Sequence, residues 1–582
     1  MALAFTGFSY RLVQVHVAEH AHYATIAERK QEDTVKLPAR RGAILDAAGR
    51  PLAQNEPLRT VIADGSHIRD REALVAELTG PLEISAAELR EKLSRTTWSE
   101  EQGRRIAVRH IVLKKRVLED VANRLKLALE KKKLRGIDFL YDSARIYPNS
   151  KMACHVVGYL NAEDSGVAGI EQSLDRNLRG TDGFRSIVRD GTGRELVQYR
   201  NQERDARNGN NVALTIDLGL QNIVETELET ACKLYRPKGA TVILMEPKTG
   251  AILAMANRPN FDLNDRAKGE PDQLRNRAIA DTYEPGSTFK IVTASAAIDR
   301  RLVGADTMIF CENGYYQKYK LRDHAAYRYL SVHDILVHSS NIGMAKLAIQ
   351  TGDKSFYDYV RRFGFGEPTG IQLPAEASGQ VHLPSQWDSL TQTRMAMGHA
   401  VTTTPLQVVT AMSAIANGGK LMMPQIIKEI TDEHGNVVTT YPAQLVREVC
   451  RPSVTATVRD AMVGVCGPKG TAPAARVFGY KVAGKTGTAQ KVSPKGGYLA
   501  SKYVVSFAGF LPADDPAFVA VVVFDEARTE PGQNYGGLVA APIFSRIGEK
   551  AARYLGIPAT EDRPQGETGG IFAKKGNGIR VE

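Results

Sequence analysis

The spacing of apolar positions changes character several times along this chain. Arg41-Gly42-Ala43-Ile44-Leu45-Asp46-Ala47-Ala48-Gly49-Arg50-Pro51-Leu52-Ala53 reads as a strand, a glycine turn and a second strand. Over residues 66–134 apolar positions fall three and four apart in a charged background, the period of helices. Strand patterns return over 136–148 and 184–199, and a polar run at 201–210 marks the expected domain boundary. Thr215-Ile216-Asp217 then leads into a helix carrying Leu220-Gln221. Residues 241–245 and 251–256 are apolar strands joined by Glu246-Pro247-Lys248-Thr249-Gly250, a hairpin turn signal. Pro285 and Gly286 interrupt the chain, and Ser287 opens an Ala-rich helical stretch ending near Asp299. Late strands at 480–483, 504–510 and 518–524 precede a terminal helix over 542–555. Strands, a block of helices, then strands again predict an α+β fold with a largely antiparallel sheet. Residues 11–35 read as a polar helix, 36–41 as a short basic linker, and the Gly-rich tail after Ile557 as disordered. The expected units are 1–35, 36–205, 211–557 and 558–582.

Composition changes this picture little. A length of 582 residues suits two or more domains. The net charge of +11 permits nucleic acid, an anionic membrane surface or an anionic polymer as neighbour. Lys114-Lys115-Arg116 and Lys131-Lys132-Lys133 read as solvated helix faces, and no nucleic-acid module pattern accompanies them. Five cysteines, Cys154, Cys232, Cys311, Cys450 and Cys466, show no metal spacing, and a Cys450–Cys466 pairing stays open. His16, His20 and His22 lack further ligands and read as a polar helix face. Met1 to Tyr10 is mostly apolar until Arg11, shorter than the ~20 residues of a membrane span. It reads as part of an anchor or as a buried helix. The first half holds no convergent nucleophile, base or metal set and reads as a scaffold.

The chemistry gathers in the second half. In Glu284-Pro285-Gly286-Ser287-Thr288-Phe289-Lys290, a Ser and a Lys three apart share one helix face. A Ser in the first turn also lies at the positive end of the helix dipole, which favours developing negative charge. A serine nucleophile with an amine base requires this arrangement. For this pair alone, an N-capping Ser with a solvated Lys is the plainer explanation. Two further motifs change that. Ser339-Ser340-Asn341 is the only Ser-x-Asn of the chain, and Lys485-Thr486-Gly487-Thr488 closes a predicted strand near the C-terminal end. Lys248-Thr249-Gly250 repeats part of the last motif but precedes the Ser and suits a turn. Gly479 to Thr486 spells a phosphate-loop pattern, yet no helix pattern opens after it as a phosphate loop needs.

In order and spacing these three motifs resemble the penicilloyl-serine transferase set. The chain from about Arg41 to Ile557 resembles a class B penicillin-binding protein, a peptidoglycan D,D-transpeptidase, and is closest to the septal, cell-division type. Arg41-Gly42, Asp46, Gly49, Arg145-Ile146-Tyr147-Pro148, Gly158-Tyr159 and Gly169-Ile170-Glu171 resemble that family's N-terminal pedestal. Gly398-His399-Ala400 through Gln407 and Tyr535-Gly536-Gly537 resemble its transpeptidase domain. The resemblance implies a pedestal or dimerisation domain over 36–205, a transpeptidase domain over 211–557 and a partial anchor over 1–35.

For the site it implies that Ser287 is the nucleophile and Lys290 its base, with Ser339 as proton relay and Asn341 as a hydrogen-bonding partner of Lys290 and substrate. Lys485, Thr486 and Thr488 would hold the substrate carboxylate, and Gly487 would let the substrate lie along the strand edge. The backbone N–H groups of Ser287 and Thr488 would form the oxyanion hole. Neither metal nor cofactor is expected. Expected partners are D-Ala-D-Ala stem peptides, β-lactams, a membrane-embedded glycosyltransferase and cell-division proteins, with the catalytic domain outside the inner membrane. Three alternatives stand beside it: a hydrolytic β-lactamase or D,D-carboxypeptidase, a non-catalytic β-lactam-binding scaffold, and a bifunctional class A synthase. For the last, the first two hundred residues offer no glycosyltransferase carboxylates in context.

Overall fold

The computed structural model describes residues 2–20, 32–99, 103–188, 203–493 and 496–561. The second half is built on a five-stranded antiparallel sheet. Its strands in chain order are β1 (Gly239–Met245), β2 (Ile252–Arg258), β3 (Ala483–Val492), β4 (Tyr498–Leu511) and β5 (Phe518–Asp525), arranged β2-β1-β5-β4-β3. β1 is buried throughout and β5 nearly so, because helices cover both faces. Burial on both faces explains why these strands read as unbroken apolar runs and not as alternation. The principal helices are α1 (Leu218–Tyr235), α2 (Lys290–Asp299), α3 (Asn341–Thr351), α4 (Pro405–Ala416), α5 (Pro452–Cys466) and α6 (Ala541–Tyr554). α1 and α6 cover one face, where Leu228, Phe507, Phe544 and Val522 share a core. On the other face Ile243, Val409, Met462 and Val521 pack with residues of α2. Lys290 to Ala297 are all buried, so α2 runs through the middle of the helical block.

The polar run at 201–210 does not separate two sheets. Asn211–Leu214 pairs in parallel with Ile44–Leu45 on one side and antiparallel with Ile427–Thr431 on the other. One seven-stranded sheet therefore contains strands from both halves. The junction is tightened by Asp46, whose carboxylate accepts the N–H groups of Ala48, Arg50 and Leu218.

Several sequence expectations need correction. Residues 66–134 are not wholly helical: a hairpin, Thr96–Ser99 with Arg104–Ala107, and a strand, Ile111–Leu118, lie among helices Arg71–Leu82, Ala86–Leu93 and Glu119–Lys131. The strand imitates a helical spacing because its inward residues Leu113 and Val117 stand four apart, a separation that keeps one face in strand and helix alike, while Lys115 between them is exposed. The expected linker at 36–41 begins inside a strand, Glu32–Leu37, paired with Gly183–Val188. The N-terminal helix runs over Ala2–Val13 and passes into a π turn, Gln14–Ala18, with Phe5 and Phe8 exposed. Among the described residues no helix is long and apolar enough to cross a membrane. His22, residues 189–199 of the expected strand and the tail from 562 lie outside the described residues.

The pedestal motifs meet in a buried ion network. Glu171, fully buried, accepts Arg41 Nε at 2.7 Å and Arg145 Nε at 2.7 Å, while Arg145 Nη1 also reaches the Gly42 carbonyl at 2.8 Å. Removing the shared carboxylate takes from Arg145 its ion-pair partner and leaves Arg41 with Asp175 alone. Glu171→Ala is therefore expected to cost about 3–5 kcal/mol, read as a fall in the urea midpoint. A variant as stable as the parent protein would show that solvent reaches this network.

Candidate active site

β3 is an edge of the sheet, and the turn bearing Ser287 lies against it. Ser287 does not open the α-helix directly. It sits in a 3₁₀ turn, Gly286–Phe289, and α2 begins at Lys290. Side chains three apart eclipse in a 3₁₀ turn, so Ser287 and Lys290 stay on one side. Gly286 has φ +56°, and a Cβ there would stand 3.0 Å from the Thr488 carbonyl oxygen and 3.4 Å from its nitrogen. Only glycine lets the serine turn approach β3 this closely. The Gly286 N–H donates to the Gly398 carbonyl at 3.1 Å, which ties the Gly398-His399-Ala400 segment to the same turn.

The three motifs converge on one hydroxyl. Lys290 Nζ donates to Ser339 Oγ at 3.1 Å, to the Ser339 carbonyl at 2.6 Å and to Asn341 Oδ1 at 2.8 Å. Lys485 Nζ reaches the same Ser339 Oγ at 3.0 Å. Both lysines are 0% exposed. Burial, and after it the charge of Lys485, draws Lys290 well below the usual lysine range, with Asp323 opposing. Burial also draws Lys485 down to about 7, opposed by Cys466. Set by the protein's own groups, its charge is divided near neutral pH, and a bound carboxylate would restore it.

Ser287, Ser339, Asn341, Thr486 and Thr488 line one cleft of about 820 Å³. Thr486 Oγ1 lies 3.3 Å from Thr471 Oγ1, and Thr488 Oγ1 accepts the Gly536 N–H at 3.2 Å. Gly487 points the other way. A Cβ there would stand 2.3 Å from Ser506 Oγ and 2.9 Å from the Pro285 carbonyl. The glycine allows β3 to pack on the serine turn, a different reason from the substrate approach expected from sequence.

Lys485 to Thr488 lies inside β3, because the strand starts at Ala483 and not at 480. Lys248-Thr249-Gly250 is the β1–β2 turn, where Thr249 bonds Glu246 and the Gly250 N–H closes on the Glu246 carbonyl at 2.9 Å. Gly479 to Thr486 runs into a strand, not a helix. Cys450 and Cys466 are free and sit in different cores. Sequence reasoning missed Asp323, which bonds the start of α3, because no motif spacing marks it.

Residues 240–549 match the family described as the Penicillin binding protein transpeptidase domain, and residues 36–214 match the Penicillin-binding Protein dimerisation domain. The chain is 31% identical over 567 residues to Stage V sporulation protein D of Bacillus subtilis, covering 95% of this chain and 84% of that one. It is 32% identical over 526 residues to the Peptidoglycan D,D-transpeptidase FtsI of Escherichia coli K12, covering 89% and 84%. A peptidoglycan synthetase structure from Bifidobacterium adolescentis superposes with TM-score 0.73 at 27% identity, over 92% of this chain and 98% of that one. Penicillin binding protein 2X from Streptococcus thermophilus shares the fold, with TM-score 0.78 at 24% identity over 90% and 80%. With an edge strand, a serine turn and two buried lysines on one hydroxyl, these likenesses have one reading: the chain belongs to the class B penicillin-binding proteins, the peptidoglycan D,D-transpeptidases.

Proposed function

We propose that Ser287 is the acylated residue of this transpeptidase. Its Oγ attacks the carbonyl of the penultimate D-Ala of a stem peptide and passes its proton to neutral Lys290. The developing oxyanion is met by the N–H groups of Ser287 and Thr488. Ser339 relays the proton to the leaving amine, the D-Ala–D-Ala amide breaks, and terminal D-Ala departs. An amine of a second stem peptide then attacks the ester carbon, forms the cross-link and returns the proton to Ser287. Lys485, Thr486 and Thr488 hold the carboxylate, Asn341 orients Lys290, and a β-lactam traps the same serine. The observation that carries this reading is Ser339 Oγ within 3.1 Å of Lys290 Nζ and 3.0 Å of Lys485 Nζ, a proton path between two buried amines.

The reading extends to place and partners. The sequence pattern favours septal wall synthesis, with the catalytic domain outside the inner membrane, the N-terminus at the membrane, and a membrane glycosyltransferase and division proteins beside it. The division into an N-terminal segment (1–35), a pedestal (36–205), a transpeptidase unit (211–557) and a tail (558–582) belongs to the same proposal. The test gives the purified chain nascent pentapeptide glycan polymer and follows products by mass. Cross-linked dimers with free D-Ala are expected. Hydrolysed tetrapeptide alone would make it a carboxypeptidase, and β-lactam labelling without any product would make it a scaffold.

A further inference from the structure

Ser339-Ser340-Asn341 starts in a backbone state that serine rarely adopts. Ser339 has φ +58°, in the left-handed region, and such a residue keeps its place only if its surroundings hold it. The holding group lies outside all three motifs. Asp323 Oδ2 accepts Ser340 Oγ at 2.6 Å, and Asp323 Oδ1 accepts the N–H groups of Asn341 at 2.6 Å and Ile342 at 3.1 Å. Ser340 Oγ in turn accepts the Gly343 N–H at 2.9 Å. The first amides of α3 have no partner within the helix, and these two side chains supply one for three of them. Next door, the Arg322 carbonyl accepts Asn341 Nδ2 at 2.9 Å, so the amide oxygen is turned toward Lys290.

Asp323 is itself fixed. It follows the small hairpin formed by Tyr315–Tyr316 and Leu321–Arg322, and its N–H donates to the Gly314 carbonyl at 3.1 Å. The Arg322 guanidinium lies 4.3 Å over the Tyr315 ring, which pins the hairpin end.

We propose that Asp323 is a positioning residue for acylation: its carboxylate locks Ser339 and Asn341 against Lys290 and places a fixed negative charge behind that lysine. The proposal rests on the roles given above to Ser287 and Lys290. Asp323 is not among the residues that line the cleft. The charge has a consequence that packing alone would lack. Lys290 faces the cation Lys485 from β3 and the anion Asp323 from the hairpin, with His324 beside Asp323. His338 closes the short helix just before Ser339. Asp323 holds Lys290 up against burial and Lys485. Removing that charge lowers Lys290 further, so the base is neutral at lower pH.

The experiment measures the second-order rate constant of acylation by a fluorescent penicillin against pH, for the full chain and for Asp323→Ala and Asp323→Asn. Asp323→Ala leaves three donors unpartnered and is expected to slow acylation about 10²-fold, the cost of a small misplacement. Asp323→Asn keeps the shape, and its acid limb is expected to move to lower pH. Wild-type rates in Asp323→Ala, or an acid limb in Asp323→Asn that stays in place or moves to higher pH, would overturn the proposal. If the alanine variant fails to fold, the asparagine variant alone decides. A wild-type label mapped away from Ser287 is a separate result, and it removes the acyl-serine reading together with this one.

Discussion

Ser287→Ala is expected to abolish covalent labelling by β-lactams and to lower transpeptidation by about 10⁴-fold or more, the scale of other nucleophile deletions. The size follows from the geometry. Ser287 and Ser339 line the same cleft, yet Ser339 Oγ already accepts hydrogen bonds from two lysines and sits in a strained backbone. Ser339 is therefore a poor substitute nucleophile. The substitution should leave the fold alone, because among the described residues the Ser287 hydroxyl makes no hydrogen bond. A change of thermal stability beyond about 0.5 kcal/mol would be out of scale for so small a deletion. Peptide mapping of the labelled wild-type protein checks the assignment. A label on Ser339, or one retained in Ser287→Ala, would place the nucleophile elsewhere.

How far the sequence disclosed this site depends on how local each part is. Ser287 and Lys290 are three apart, so one turn of helix brings them together and the pair is visible at once. Lys485 lies 146 positions from Ser339, and only the motif order suggested that they meet. Asp323 had no such signal: an aspartate in a polar loop is common, and only the folded hairpin directs its carboxylate at α3. The fold shows the same division. β1 and β5 were legible because double burial writes continuous apolar runs. Ile111–Leu118 was not, because Lys115 interrupts its inward face and leaves Leu113 and Val117 four apart, a spacing that a helix shares. Asn211–Leu214 was hidden for another reason. Its partners come from residues 44–45 and 427–431, and no local pattern records such distant pairing.

The two lysines should respond to arginine in opposite ways. In the proposed mechanism Lys290 has to lose its proton to act, whereas Lys485 has to keep one to hold a carboxylate. Arginine keeps its charge across the accessible pH range. Lys290→Arg therefore removes the base at any pH, and acylation should be virtually absent. Lys485→Arg keeps a cation on a larger planar head, so partial acylation should remain. The pH profiles separate the roles further. In the parent protein Lys485 is drawn down to about 7, so its charge is present below that value and is lost as pH rises through it. Lys290 lies lower than an ordinary lysine, so its neutral form grows in as pH rises. The product of the two is a bell for the free enzyme, with an acid limb from Lys290 and an alkaline limb from Lys485. Lys485→Arg cannot lose its charge, so its alkaline limb should vanish while its acid limb remains. The check is the second-order acylation rate of the parent and both variants against pH, with one β-lactam. If Lys290→Arg acylates as fast as Lys485→Arg, Lys290 is not the base. The serine proton would then have to leave through Ser339 toward Lys485, the other amine on that hydroxyl.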